Sequence, residues 1–77
     1  MTDGNYIEKA FGQVIRELRL ERGLSQEKLS ELCNLDRSYL SEIERGEKTA
    51  SIRTIVKLAD GLNITPSSLI AGMEEKL

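Results

Sequence analysis

The sequence predicts an all-α fold of five short helices, and three observations predict it. Apolar residues recur at three- and four-residue spacing along most of the chain. Residues suited to capping a helix start, Ser25, Asp36, Ser51 and Thr65, each stand just before such a run. Residues that accept a left-handed backbone, Gly23, Asn34 and Gly46, stand just after one. No stretch reads as a strand, and 77 residues leave room for one domain, 1–77, with a small core.

The first helix is expected over about 7–22. Ile7, Phe11, Val14 and Leu18 form its apolar stripe, Ala10 and Ile15 lie beside them, and Gly23 stops it. Ser25 caps a second helix of about two turns, 26–33, with Leu29, Leu32 and Cys33 on one side and Asn34 as its end. Asp36 caps the third, 37–45, in which Leu40 and Ile43 keep helical spacing up to Gly46. The polar run Glu47-Lys48-Thr49-Ala50 reads as a loop. Ser51 then opens a fourth helix ending near Leu62, with Ile52, Ile55, Val56, Ala59 and Leu62 expected inward. Thr65-Pro66 is a cap followed by proline at the first helical position. It opens a fifth helix carrying Leu69, Ile70 and Met73, with Glu74 to Lys76 expected to fray.

Composition removes several function classes. No apolar run approaches the ~18 residues of a membrane span, and the start Met1-Thr2-Asp3-Gly4-Asn5 is unlike a secretion signal, so a cytoplasmic protein is expected. One cysteine and no histidine leave no zinc site within one chain. Cys33 reads as a small buried apolar group with no basic neighbour to activate it. Without His, a glycine-rich phosphate loop or a Ser placed beside a base, the chain is not expected to be an enzyme or to carry a cofactor. The net charge of -2 is unusual for a nucleic-acid-binding domain; it does not exclude DNA binding, since what matters is which charges lie on the docking face, but it predicts weak non-specific binding.

Two short helices joined by about three residues have helix-turn-helix spacing. The arrangement needs a small residue where the helices cross, a residue tolerant of positive φ in the turn, and apolar locks on the second helix. Ser30, Asn34, Leu40 and Ile43 fill those places. The start of such a second helix faces outward, where its side chains reach base edges in a DNA major groove.

The stretch Leu24-Ser25-Gln26-Glu27-Lys28-Leu29, followed by Asp36-Arg37-Ser38-Tyr39-Leu40-Ser41-Glu42-Ile43-Glu44-Arg45-Gly46, resembles the Xre-type helix-turn-helix family of the phage lambda and 434 repressors. The resemblance runs from about Phe11 to Ile70, with the later Ser-Ile-x-x-Ile-x-x-Leu-Ala-x-x-Leu also in register. The run Asp36-Arg37-Ser38-Tyr39 is most similar to controller proteins of restriction-modification systems. Asn34 stands where the family often has Gly, and Ser30 where it usually has Ala; both are small enough for the geometry.

The resemblance implies a lambda-repressor-like fold and a sequence-specific transcriptional regulator that binds a pseudo-palindromic operator as a homodimer. Two dimers would bind cooperatively. Arg37, Ser38 and Glu42 would contact bases, Arg37 having the fork for a guanine; the plainer readings are a solvated Arg37 beside Asp36 and a surface Glu42. Gln26, at a helix start, together with Tyr39, Arg45, Lys48 and Thr49 would contact phosphates, although Tyr39 could pack on Leu35 instead. Arg19 and Glu44 would pair to join the first helix to the third. The dimer interface would lie around the fifth helix, at Ile64, Leu69, Ile70 and Met73, with Leu77 either adding to it or lying in a loose tail. No small-molecule ligand is implied. An antitoxin or a phage-type repressor whose main partner is a protein is the competing reading.

Overall fold

The structure is a computed structural model that describes residues 4–77, so Met1-Thr2-Asp3 of the polar start lies outside the described residues. The chain forms five helices: α1 Tyr6–Glu21, α2 Gln26–Cys33, α3 Arg37–Glu44, α4 Ile52–Gly61 and α5 Pro66–Glu75. No strand occurs among the described residues.

The caps explain the boundaries. The side chains of Ser25, Asp36, Ser51 and Thr65 accept hydrogen bonds from the backbone N–H groups of Lys28, Tyr39, Thr54 and Ser68, each three residues on. Asn34, Gly23 and Gly46 take the left-handed conformation assigned to them, as does Asn63 after α4. Arg22, Arg45 and Leu62 are the residues that close α1, α3 and α4 rather than members of them.

Each helix puts at least one large side chain wholly inside: Ile15 from α1, Leu29 from α2, Leu40 and Ile43 from α3, Leu58 from α4 and Leu69 from α5, joined by Leu62. At roughly 1.5 to 3 kcal/mol for each such side chain, burying this set is the main force holding α2 and α3 in place. α1 spans the bundle and packs on both α3 and α5.

One contact sets how near α1 comes to α3. A Cβ added at Gly12 would lie 2.2 Å from the carbonyl oxygen of Ile43 and 2.7 Å from that of Glu44. Only a hydrogen fits there, and nothing local in the sequence marks Gly12 out.

Several expected inward residues turn out to face solvent. Ile52 is 78% exposed and Val56 49%, while Ile7 and Leu32 are also exposed. In a bundle this small each helix touches its neighbours along a strip narrower than its apolar stripe, so residues at the stripe's margin stay outside. The end of the chain differs in the other direction. α5 continues to Glu75, and Lys76 Nζ lies 3.0 Å from Glu17 Oε2 on α1, so the expected fraying at Glu74 to Lys76 is replaced by helix and an ion pair.

Candidate nucleic-acid interface

The site is built on the α2–α3 pair. Asn34 sits at φ 55°, and the Leu35 N–H returns to the Ser30 carbonyl at 2.9 Å, which closes the turn. Ser30 is buried at the crossing, with its hydroxyl donating to the Glu27 carbonyl at 2.8 Å. Leu40 and Ile43 fasten the inner face of α3. Its outer edge carries Arg37, Ser38, Ser41 and Glu42, with Arg45 just beyond the last turn, and these line a shallow polar cleft. Arg37, Ser38 and Arg45 are exposed and Glu42 is half-buried. The α3 dipole adds partial positive charge at the Arg37 end.

A buried ion pair sets the angle of α3. Arg19 Nε donates to Glu44 Oε2 at 2.7 Å and Nη2 to Oε1 at 3.0 Å, while Nη1 donates to the Leu24 carbonyl at 2.9 Å. The two side chains are 8% and 3% exposed. One guanidinium thus ties α1, the approach to α2 and the end of α3 together. Gln26 completes the network, its amide nitrogen donating to Glu44 Oε1 at 3.0 Å. Gln26 is therefore oriented by the same carboxylate that orients Arg19.

The remaining sequence-predicted contacts are in different states, and Lys48 and Thr49 line an apolar groove with Ile7, Phe11 and Met73 rather than the polar cleft. Arg37 and Lys48 have no ion-pair partner among the described residues and lie exposed. Arg45 is bound within the chain: Nε and Nη2 each donate to a Glu47 carboxylate oxygen at 3.0 Å, and Nη1 donates to the Ser41 hydroxyl. That bidentate pair raises the Arg45 pKa and lowers that of Glu47. Thr49 donates its hydroxyl to Glu8 Oε2 at 3.0 Å. Tyr39 is half-buried against the core, with its hydroxyl 3.4 Å from Thr54 Oγ1. The sequence reading missed how the loop after α3 is held: Asn5 Nδ2 donates to the Gly46 carbonyl at 2.9 Å, and a Cβ on Gly46 would lie 2.8 Å from Lys9 Cα.

The four residues assigned to a dimer interface are not equivalent. Leu69 has no exposed surface and belongs to the chain's own core, while Ile64 and Met73 are partly buried against that core. Ile70 alone of the four is exposed. Helical spacing selected Leu69 without distinguishing an apolar residue needed inside from one left outside. Cys33 is buried as expected, and burial pushes its thiol up to about 11. No grouping of His, Cys, Asp and Glu suited to a metal occurs among the described residues, nor is any of their helices long and apolar enough to cross a membrane.

Comparison with known proteins agrees with this geometry. Residues 15–69 match the helix-turn-helix family. The control protein C.BamHI of Bacillus amyloliquefaciens is 42% identical over 67 residues, which cover 86% of this chain and 83% of that protein. The crystal structure of the restriction-modification controller protein C.AhdI from Aeromonas hydrophila superposes with a TM-score of 0.79 at 50% identity, covering 80% of this chain and 94% of the other. A variant of the controller protein C.Esp1396I superposes with a TM-score of 0.84 at 30% identity, covering 92% of this chain and 95% of the other. It is one of a set of variants that replace an Arg, a Thr and a Tyr at three consecutive positions. With α3 presented on an α2 support, and with these relatives covering most of its length, the chain belongs to the helix-turn-helix family of DNA-binding transcriptional regulators that includes the restriction-modification control proteins.

Proposed function

We propose that this chain is a cytoplasmic, non-enzymatic controller protein of a restriction-modification system that folds as one domain and binds a pseudo-palindromic operator as a homodimer. The outer edge of α3 carries this reading. Arg37 stands there exposed and without an ion-pair partner among the described residues, on a helix whose angle is held by a buried ion pair at its other end. Its fork is free for the O6 and N7 atoms of a guanine, with Ser38 and Glu42 addressing neighbouring bases. Gln26, Lys48, Thr49, Arg45 and Tyr39 fix the register on phosphates. The Arg37-Ser38-Tyr39 run has nearly the residue types replaced in the C.Esp1396I variants, Ser standing for Thr.

Two-fold pairing sets the recognition helices about 34 Å apart, in successive major grooves. The exposed apolar residues Ile52 and Val56 on α4 and Ile70 on α5 supply surface for that pairing. Two dimers on adjacent sites give activation at low occupancy and repression at high.

Selection of sites from random duplex DNA with the purified protein tests the proposal. An enriched inverted repeat, bound at nanomolar concentration and released steeply by salt, supports it. No enriched sequence rejects it, and a toxin gene beside this one, in place of a methyltransferase and an endonuclease, rejects the controller role.

A further inference from the structure

Three hydrogen-bond donors assigned to phosphate already hold carboxylate oxygens within the chain. Gln26 is bound to Glu44, Thr49 to Glu8 and Arg45 to Glu47, each at 3.0 Å. Of the three, the Arg45–Glu47 pair alone joins two opposite charges, through two hydrogen bonds. Both its side chains are 54% exposed, so the pair is not needed to fill the core. Its two parallel N–H to oxygen bonds also have the fork geometry that a guanidinium uses on a phosphate. The Ser41 hydroxyl holds the third guanidinium nitrogen, which keeps the fork on the outer edge of α3. Glu47 thus occupies the place of a phosphate at the edge that would meet DNA. The chain carries 13 acidic against 11 basic residues, and the cleft along α3 is lined by two guanidiniums, Arg37 and Arg45, so closing one of those forks weighs heavily.

We propose that Glu47 is an internal phosphate mimic: Arg45 exchanges the Glu47 carboxylate for a DNA phosphate on docking, and the exchange weakens the sequence-independent part of binding. The inference rests on the DNA-binding reading above. It assigns to Glu47 the task of keeping the protein off arbitrary DNA, a different task from reading bases.

The test compares wild type, Glu47→Gln, Arg45→Ala, the double variant Glu47→Gln/Arg45→Ala and the charge control Glu75→Gln, titrated with the selected operator and with random-sequence duplex at several salt concentrations. An exposed ion pair restrains its partner weakly, so Glu47→Gln is expected to tighten binding to random duplex by about two- to fivefold more than Glu75→Gln does. The salt slope should steepen by roughly one, because Arg45 neutralises a phosphate with no carboxylate left behind to recapture a cation. In the Arg45→Ala background the extra gain should vanish. Equal effects of Glu47→Gln and Glu75→Gln, or a gain that survives in the Arg45→Ala background, would overturn the role of Glu47 while leaving the regulator reading intact. Failure of wild type to bind any duplex would overturn both.

Discussion

Arg19, in the last turn of α1, and Glu44, the last residue of α3, stand 25 residues apart in the chain, yet their side chains meet at 2.7 Å and are almost fully withdrawn from water. Removing one partner strands the other's charge in a dry site, where the loss is far larger than for a surface pair. Arg19→Ala is expected to destabilise the fold by about 3 kcal/mol or more, and Glu44→Ala similarly. Urea denaturation measures this, and a cost under ~1 kcal/mol for both would show that the pair is effectively solvated.

Gly12→Ala should push α3 away from α1. The added Cβ meets two backbone carbonyls rather than a flexible side chain, so relief requires helix movement. A loss of roughly 1 to 3 kcal/mol is expected, with operator affinity falling because the reading edge shifts. Wild-type stability and wild-type operator binding together would contradict the close approach.

Base reading and phosphate gripping separate by variant. Arg37→Ala should relax the preference at one base pair by ~1 to 3 kcal/mol, whereas Lys48→Ala should weaken all duplexes alike and reduce the salt slope by ~1. Uniform weakening by Arg37→Ala would move Arg37 from the bases to the phosphates. An unchanged slope for Lys48→Ala would take Lys48 off the DNA.

Val56→Glu places a charge on exposed apolar surface, so the monomer fold should change by no more than ~0.5 kcal/mol. Sedimentation is expected to show dissociation into monomers, with loss of binding to an inverted repeat. An unaltered dimer would direct attention to Ile70 and the groove of about 200 Å³ beside it, lined by Ile7, Phe11, Ile55 and Met73.

Cys33 gives a pH signature. In the folded chain burial raises its thiol from 9.0 to about 11, with Asp60 acting in the same direction. Between those values the unfolded chain has lost the proton and the folded chain retains it, so stability should fall as pH rises from about 9 to about 11 and be unaffected by Cys33 below that. Comparing denaturation of wild type with Cys33→Ala across this range checks the sign. Rapid alkylation of native protein at pH 8 would contradict the burial.

The element order and boundaries, together with the helix-turn-helix, were legible in the sequence because they rest on interactions three or four residues long. A serine caps the backbone N–H three positions on, and an asparagine turns the chain where it stands, whatever the rest of the protein does. The motif residues Arg37, Ser38 and Glu42 were legible because their positions on α3 follow from helical spacing once Leu40 and Ile43 are known to face inward.

What the tertiary structure alone decided lies between residues distant in sequence. Gly12 matters through the carbonyls of Ile43 and Glu44, and Gln26 takes its orientation from Glu44. Ile52 and Val56 lie outside while Leu69 lies inside, although all three are apolar and correctly spaced. Periodicity shows that a helix has an apolar face but not how much of that face its neighbours cover, because coverage depends on where the other helices sit. The sequence determined which helices form and which two make the helix-turn-helix; packing decided the angle of the second of these, the apolar surface left outside, and the carboxylates that hold Gln26, Thr49 and Arg45.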